Sequence, residues 1–152
     1  MRIYFAAPYT NLAKPVEGSE YGWVPDDYTK WLRKVIEGLE AMSHQVHCPH
    51  RDDHKWGKSF PKLHELVPNQ FKKITKETDL FLAYLGQPQS AGVAIEIGYA
   101  ISRGTRTIII KKPGDKITLI AQGLDEITPC EILEFRDLEG LLSQLRTRIG
   151  SQ

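Results

Sequence analysis

The sequence predicts a single α/β domain over residues 1–152, with a doubly wound, mainly parallel sheet of the Rossmann-like or flavodoxin-like type, flanked by helices. Three observations predict it. The chain has 152 residues, the length of about one domain. Its short, continuous apolar runs are typical of parallel strands that are buried on both faces. Between these runs apolar residues recur at helical spacing, and alternating strands and helices favour a parallel sheet covered by helices.

Composition excludes several classes of protein. Lys and Arg number 20 and Asp and Glu number 19, so the net charge of +1 gives no field that favours nucleic acid. Hydrophobic residues at 41% and charged residues at 26% are ordinary for a globular domain and exclude intrinsic disorder. No apolar run reaches the roughly 20 residues of a membrane span, and the N-terminal run is too short for a signal peptide. Cys48 and Cys130 are expected to be reduced thiols of a cytoplasmic protein.

The chain opens with a buried strand at 2–7, which is closed by Pro8. The segment 9–27 shows no periodic pattern and is expected to be a loop, which at that length is often functional. A helix then begins near Asp26 and Asp27, since either carboxylate can cap its first turn. Its apolar residues recur at helical spacing and form one stripe that faces the sheet: Trp31, Leu32, Val35, Ile36, Leu39 and Met42.

The middle of the chain continues the alternation. A short strand at 46–48 leads into a second long loop at 49–61, which is rich in His, Asp and Lys. A helix follows at about 62–77 and is interrupted by Pro68. The continuous apolar run at 79–85 is typical of a central parallel strand.

The last part of the chain adds two more strand and helix pairs. A helix at 90–103 ends at Gly104, and a buried strand follows at 105–111. A last strand is expected at 132–135, followed by an amphipathic terminal helix at 138–149.

The ends of the strands indicate where a ligand binds, because ligands of doubly wound sheets lie beyond the carboxyl ends of the strands. Three segments are expected to meet there: the loops after Ala7 and Cys48, and the turn from Leu85 to Ser90. Ser90 is placed as the N-cap of the next helix. Gly92, in its first turn, lets a ligand approach the free N–H groups. The turn therefore predicts an anion site.

Glu96 lies at the edge of the buried stripe of that helix. The stripe is predicted to consist of Val93, Ile97, Ala100 and Ile101. A carboxylate at such an edge is partly desolvated, which raises its pKa. Glu96 lies roughly 9 Å along the axis from Ser90, enough to place a phosphate at the helix start and a sugar carbon at the carboxylate. Spacing alone leaves open that Ser90 is only a cap and Glu96 only a solvated edge residue.

A resemblance to a known family is carried by two segments. They are 90–100, Ser-Ala-Gly-Val-Ala-Ile-Glu-Ile-Gly-Tyr-Ala, and 104–110, Gly-Thr-Arg-Thr-Ile-Ile-Ile. Both resemble the nucleoside 2-deoxyribosyltransferase superfamily, closest to its 5'-monophosphate N-glycosidase branch of deoxynucleoside 5'-monophosphate glycosidases and CMP hydrolases. The opening Ile-Tyr-Phe-Ala-Ala-Pro is similar to the first strand and substrate loop of that family. The resemblance covers about residues 2–10 and 79–123 and implies one deoxyribosyltransferase-like domain.

The resemblance also implies roles for single residues. Glu96 matches the catalytic glutamate that attacks the anomeric carbon, and Tyr4 matches the tyrosine that contacts this carboxylate. Ser90 stands where true deoxyribosyltransferases usually carry Asp, which would repel a phosphate that a hydroxyl can bind.

Thr118 resembles a hydroxyl residue that a neighbouring subunit lends to the phosphate site, which implies a homodimer or a larger homo-oligomer. His50 is similar in position to a substrate-loop histidine. The other substrate-binding residues implied are Ala7, Pro8, Tyr9 and Gly92.

One position departs from the family pattern. The family usually carries an Asp that helps to protonate the leaving base, about two helical turns before the strand residue Asp79. That position falls here at Phe71, with Asn69 and Gln70 beside it. Either another residue protonates the leaving base or the departure of the base is assisted in a different way. Asp79 itself is expected to be a structural residue at the start of its strand.

Histidines and aspartates cluster between residues 44 and 54, at spacings that resemble metal-ligand intervals. The members are His44, His47, His50, His54, Asp52 and Asp53. Because His47 and His50 flank the end of a strand and need not face one point, we expect no metal, and the reaction requires no cofactor. The aromatic residues of the two long loops are candidates for stacking on a nucleobase, and we expect one of them to do so. They are Tyr9, Trp23 and Trp56.

The expected function is hydrolysis of a (deoxy)ribonucleoside 5'-monophosphate to free base and sugar 5-phosphate, through a glycosyl ester on Glu96. A base-exchanging deoxyribosyltransferase is one alternative, and Ser90 argues against it. A nucleotide-binding module without turnover is the other; Phe71 keeps it open, whereas Tyr4 and Glu96 argue against it. The expected partner is a small nucleotide, with no nucleic acid and no membrane.

Overall fold

The computed structural model of the chain describes residues 1–9, 14–16, 19–59, 62–87, 89–126 and 130–150. Its strands are β1 (Arg2–Ala6), β2 (Lys14–Val16), β3 (Ser19–Trp23), β4 (Gln45–His47), β5 (Leu80–Tyr84), β6 (Thr107–Lys111) and β7 (Cys130–Glu134). Its helices are α1 (Asp26–Glu40), α2 (Pro49–Asp52), α3 (Leu63–Lys76), α4 (Ala91–Ser102), α5 (Leu119–Gln122) and α6 (Leu138–Ile149). Short 3-10 turns occur at Lys55–Gly57 and Leu124–Glu126.

Five strands form the main sheet in the order β4-β1-β5-β6-β7, and each pairs with its neighbours in parallel. This order is the flavodoxin-like version of the doubly wound fold, so the predicted fold class is confirmed. The strand β1 is an interior strand, in which Tyr4 lies opposite His47 on one side and Phe81 on the other. Since all five strands run the same way, their carboxyl ends share one edge of the sheet.

The side chains of β1 alternate between two cores, one on each face of the sheet. Ile3 and Phe5 join the core covered by α1 and α6. Tyr4 and Ala6 join the opposite core, which is covered by α3, α4 and α5. The alternation therefore places Tyr4, whose side chain is completely buried, beneath α4.

The two long loops contain more regular structure than the sequence predicts. The first holds the antiparallel pair β2–β3, and the second holds α2 and a 3-10 turn. The expectation that 9–27 and 49–61 are plain loops is therefore wrong. These elements are three to five residues long, which is too short for a hydrophobic period to be visible.

Two details of the helices also differ from expectation. Helix α1 begins at Asp26 as predicted, but Pro25 is the N-cap residue and no side chain caps the helix. The two aspartates lie instead in the first turn, where negative charge is favourable. Helix α3 continues through Pro68 rather than being interrupted there. Proline removes the hydrogen bond to the carbonyl of His64, and because the side chain of His64 is exposed, solvent can reach that turn.

A close contact at the end of β5 gives a test of this packing. A Cβ atom on Gly86 would lie 2.1 Å from Cζ of Tyr84. The Tyr84 ring is packed against Trp31, with ring centroids 4.8 Å apart, and against Phe135 at 6.0 Å, so it has little room to withdraw. We expect Gly86→Ala to lower the free energy of unfolding by about 1–3 kcal/mol, as overpacked cores do. Urea denaturation measures the change.

The matched control is Gly98→Ala in α4, where an added Cβ meets no heavy atom within 4 Å. Alanine there is expected to raise the free energy of unfolding by up to about 1 kcal/mol, through helix propensity alone. If both variants shift stability in the same direction, the packing argument at Gly86 does not hold.

Candidate active site

A cavity of about 350 Å³ opens beside α4 at the carboxyl edge of the sheet. Ala7 and Tyr9 line it from the loop after β1, and Pro49 lines it from the segment after β4. Ser90 and Gly92 line it from the start of α4. The three segments that the sequence predicts to converge therefore do meet at one cavity, and α3 closes its remaining side.

The carboxylate of Glu96 faces this cavity and is held from below by Tyr4. The Tyr4 hydroxyl donates a hydrogen bond of 2.8 Å to Oε1 of Glu96. Burial raises the pKa of Glu96 to about 7; the Tyr4 hydrogen bond acts in the opposite direction, and the charge of Asp53 adds to the rise. Burial and the Glu96 carboxylate in turn hold the pKa of Tyr4 well above its usual value, so the hydroxyl remains a donor.

Ser90 is the N-cap of α4, as predicted. Its Oγ accepts the backbone N–H of Val93 at 3.4 Å. Gly92 is exposed, and a Cβ on it would meet only Ser90 Oγ, at an ordinary contact distance of 3.5 Å. Packing within the chain therefore does not require glycine at this position.

Thr118 lines a second cavity of about 420 Å³, which shares Ser90 with the first cavity but not Glu96. Its hydroxyl accepts the N–H of Ala121 at 3.3 Å and so caps α5. The next two side chains, Leu119 and Ile120, are 86% and 82% exposed. Within one protomer, Ser90 lines both cavities, whereas Glu96 and Thr118 each line only one of them.

His50 lies behind the cavity wall and not in it. Its ring is 2% exposed and stacks on Tyr9, with centroids 5.2 Å apart. Burial lowers the pKa of His50 to about 4, so the ring is neutral at physiological pH. Tyr9 does line the cavity, and its hydroxyl pairs with Nε2 of His54 at 2.6 Å.

The other residues predicted for substrate contact lie further away. Pro8 is buried and does not line the cavity. The Trp56 ring packs beneath the guanidinium of Arg33, 4.0 Å from its centroid, and also stays outside. The side chain of Trp23 lies outside the described part of the chain.

Gln70, in the cavity wall, is paired with a residue to which the sequence does not connect it. Gln70, on α3, lines the cavity and donates from Nε2 to Oδ2 of Asp53 at 3.3 Å. The same carboxylate oxygen lies 3.3 Å from Nε2 of His47. Gln70 stands beside the Phe71 position in sequence, but nothing in the sequence pairs it with Asp53, 17 positions earlier.

The histidines and cysteines lie in separate environments. His44 bonds to the carbonyl of Gly150 at 3.0 Å, away from the cavity, and Cys48 and Cys130 are free, buried thiols. Within the described ranges, no three His, Cys, Asp or Glu side chains are placed to hold a metal ion. No described helix has both the length and the apolar character needed to cross a membrane.

Asp79 has a structural role at the start of β5, as expected. It accepts hydrogen bonds from the backbone and the guanidinium of Arg2, each at 2.7 Å. These bonds lower the pKa of Asp79 to about 2. The pair joins β1 to β5 at the end of the sheet opposite the cavity.

Comparison with solved structures gives close likeness in fold at low sequence identity. The Clostridium botulinum CMP N-glycosidase BcmB matches with a TM-score of 0.73 and 19% identity, over 98% of this chain and 100% of that one. BlsM matches with a TM-score of 0.80 and 22% identity, over 97% of this chain and 88% of that one. A conserved protein from Enterococcus faecalis V583 matches with a TM-score of 0.63 and 16% identity, over 97% of this chain and 98% of that one.

At these identities the likeness establishes the fold. No protein-family model matches the sequence, and no curated protein is found similar to it. The glycosidase branch that the sequence resembles is nevertheless represented among the structural neighbours by the CMP N-glycosidase.

The raised pKa of Glu96 predicts how stability depends on pH. Between its ordinary pKa of 4.5 and its folded value of about 7, the folded protein binds the proton more tightly than the unfolded chain, so stability falls as pH rises through that window. Glu96→Gln removes the charge and keeps an oxygen to accept the Tyr4 hydroxyl. We expect this variant to match the parent at pH 4 and to be more stable by up to about 3 kcal/mol at pH 8.

Urea denaturation at the two pH values measures this difference. Glu37→Gln, at an exposed position of α1, makes the same chemical change in solvent and is expected to show no such dependence on pH. A difference between Glu96→Gln and the parent that stays constant from pH 4 to pH 8 contradicts the buried-carboxylate assignment.

Proposed function

We propose that the protein hydrolyses the N-glycosidic bond of a nucleoside 5'-monophosphate to free base and sugar 5-phosphate. The observation that carries this proposal is the pair of Tyr4 and Glu96. A carboxylate faces the cavity, one of its oxygens is fixed 2.8 Å from a buried hydroxyl, and burial brings its pKa to about 7. The start of α4 lies about 9 Å along the helix axis, at about 1.5 Å per residue.

In this reaction Glu96 acts as the nucleophile. Tyr4 holds Oε1, which leaves Oε2 to form a bond with the anomeric carbon. The bond from that carbon to the base nitrogen breaks, and its electron pair leaves with the base, which takes a proton from water. A second water then attacks the same carbon, gives up a proton, and releases the sugar and the Glu96 carboxylate.

The start of α4 is the proposed phosphate site. The first turn of this 12-residue helix presents free N–H groups and the positive end of the helix dipole. Ser90 Oγ accepts the N–H of Val93, so its own hydrogen is available to a phosphate oxygen. Gly92 leaves the approach open. Remote binding of the phosphate would position the sugar against Glu96.

The comparisons support this proposal and suggest the first substrate. The Clostridium botulinum CMP N-glycosidase shares the fold over nearly the whole of both chains. We therefore propose CMP as the first compound to test. Tyr9, whose ring lines the cavity, is the proposed platform for the base.

The test is release of free base from ribo- and deoxyribonucleoside 5'-monophosphates and from the matching nucleosides, with an acceptor base added in parallel. We expect turnover of monophosphates, and at least about 100-fold lower kcat/KM for nucleosides, which lack the remote contact. Glu96→Ala is expected to lower kcat at least about 1000-fold and to leave nucleotide binding measurable by calorimetry.

Ser90→Asp is expected to lower kcat/KM for monophosphates, because a carboxylate repels the phosphate. Ser143→Asp, at an exposed position of α6, is the matched control and is expected to keep the parent activity.

In the base-release assay, base exchange on free nucleosides would instead identify a deoxyribosyltransferase. Nucleotide binding without base release would identify a binding module. Full activity of Glu96→Ala contradicts the assignment of the nucleophile.

We further propose that the active form is a homodimer or a larger homo-oligomer, in which Thr118 reaches the phosphate site of a neighbouring protomer. Its place in a cavity apart from Glu96 and the exposed apolar pair Leu119 and Ile120 support this arrangement. Thr118→Ala is expected to raise KM for monophosphates.

Mixing two inactive or weakened variants tests whether Thr118 acts across an interface. After Glu96→Ala and Thr118→Ala protomers exchange subunits, a mixed pair contains one site with both residues intact. We expect kcat/KM to rise above the mean of the two separate variants. An active protein that sediments as a monomer, or a mixture without rescue, contradicts the proposal.

A further inference from the structure

The wall of the candidate cavity carries few polar side chains. Among the described residues that line it, these are Tyr9, Gln70, Ser90 and Glu96. The Tyr9 hydroxyl is held by His54. In the proposed function, Ser90 binds the phosphate and Glu96 binds the sugar carbon. Gln70 therefore remains as the polar group that can meet the base, an inference that rests on the proposed function.

The amide of Gln70 has a fixed orientation. Its Nε2 donates to Oδ2 of Asp53 at 3.3 Å. An ionised carboxylate can only accept hydrogen bonds, so the nitrogen of the amide must face Asp53. The carbonyl oxygen Oε1 is then the end of the side chain that the Asp53 contact does not use, and Gln70 is among the residues that line the cavity.

Asp53 is held in place and charged. Burial raises the pKa of Asp53, but the hydrogen bonds with His47 and Gln70 outweigh this and lower it. His47 is fixed in turn by its second nitrogen, which lies 3.5 Å from Oδ2 of Asp52. Asp52 accepts the backbone N–H of Cys48 at 2.8 Å and Nε of Arg51 at 2.9 Å. This chain of contacts connects Gln70 to the end of β4.

The other α3 side chains that line this cavity beside Gln70 are apolar. Val67 and Phe71 line the same cavity, and the Phe71 ring meets the Tyr99 ring edge-on, with centroids 4.3 Å apart. Such walls suit the flat faces of a base and offer nothing to its polar edge. One fixed acceptor between apolar walls discriminates strongly between bases that present a donor to it and bases that present an acceptor. A base with an acceptor there leaves two oxygens facing each other without a hydrogen between them.

We propose that Gln70, oriented by Asp53, is the residue that selects the base, and that its Oε1 accepts an N–H from an exocyclic amino group. Cytosine carries such a group where uracil carries a carbonyl oxygen. A cytosine nucleotide is therefore bound in preference to the matching uracil nucleotide. Because both nucleotides share the sugar and phosphate, the ratio of their affinities isolates the contacts with the base, and its change in a Gln70 variant isolates the contact with Gln70.

The experiment measures the dissociation constants of CMP and UMP by calorimetry in a Glu96→Ala background, where turnover is stopped. We expect CMP to bind about tenfold more tightly, which is about 1.4 kcal/mol and the scale of one hydrogen bond. Gln70→Met keeps the length of the side chain and removes its hydrogen bonds, so the ratio is expected to approach one. Asp53→Asn lets the amide of Gln70 turn, because Asn can also donate, and is expected to shift the ratio at least fivefold toward UMP.

Asn69→Met is the matched control, since Asn69 is the neighbouring amide on α3 and is exposed outside this cavity. It is expected to keep the parent ratio. A parent that binds UMP as tightly as CMP, or a ratio unchanged in Gln70→Met, overturns the inference. If Asp53→Asn fails to fold, Gln70→Met decides alone.

The binding test separates this inference from the proposed function. If CMP and UMP bind but the ratio of their affinities is the same in Gln70→Met, base selection by Gln70 is wrong. Hydrolysis of monophosphates by the parent protein is then still tested by its own assay. If neither nucleotide binds, the inference fails, and base release from the other monophosphates by the parent protein decides the proposed function separately.

Discussion

The hydrogen bond between Tyr4 and Glu96 is the interaction on which the candidate site depends. It joins an interior strand of the sheet to α4, across a core from which water is excluded. Burial opposes the charge of the carboxylate and the phenol supports it, and the pKa of Glu96 settles at about 7 as a result. The pKa near 7 depends on the surroundings of the carboxylate, because a glutamate at the exposed end of α4 would be an ordinary acid. A buried tyrosine without the carboxylate would only fill space. The parallel register that places Tyr4 between His47 and Phe81 makes the pairing possible.

Asp53 adds a second electrostatic constraint to the same cavity. Its charge raises the pKa of Glu96, while hydrogen bonds with His47 and Gln70 keep Asp53 itself ionised. The difference between the two carboxylates follows from their partners, since Glu96 has the hydroxyl of Tyr4 whereas Asp53 has both His47 and Gln70. Burial is the main cause of the raised pKa of Glu96, and the charge of Asp53 adds to it.

The sequence predicts the parts of this arrangement that depend on local pattern. The apolar runs give the bounds of the main strands to within two residues, and Ser90 and Glu96 stand out because a cap and a helical stripe are visible within one segment. The contact between Tyr4 and Glu96 comes from the resemblance to a family, because residues 92 positions apart share no local signal. The same limit hides the bond of Gln70 to Asp53. The strands β2 and β3 are missed for another reason, which is that they are too short to show a period.

Phe71 shows how this chain differs in physical terms from the pattern it resembles. In the structure its ring packs against Tyr99 and forms apolar wall where the family usually places an acid. A second carboxylate inside the cavity would add to the charge of Asp53 and raise the pKa of Glu96 further, so that less of the Glu96 carboxylate would be ionised at neutral pH. With phenylalanine there, Glu96 is the one carboxylate among the described residues that line the cavity. In the proposed reaction the proton for the departing base then comes from water. In that proposal the apolar wall at Phe71 supplies no acid, and Glu96 stays more ionised than it would be beside a second carboxylate.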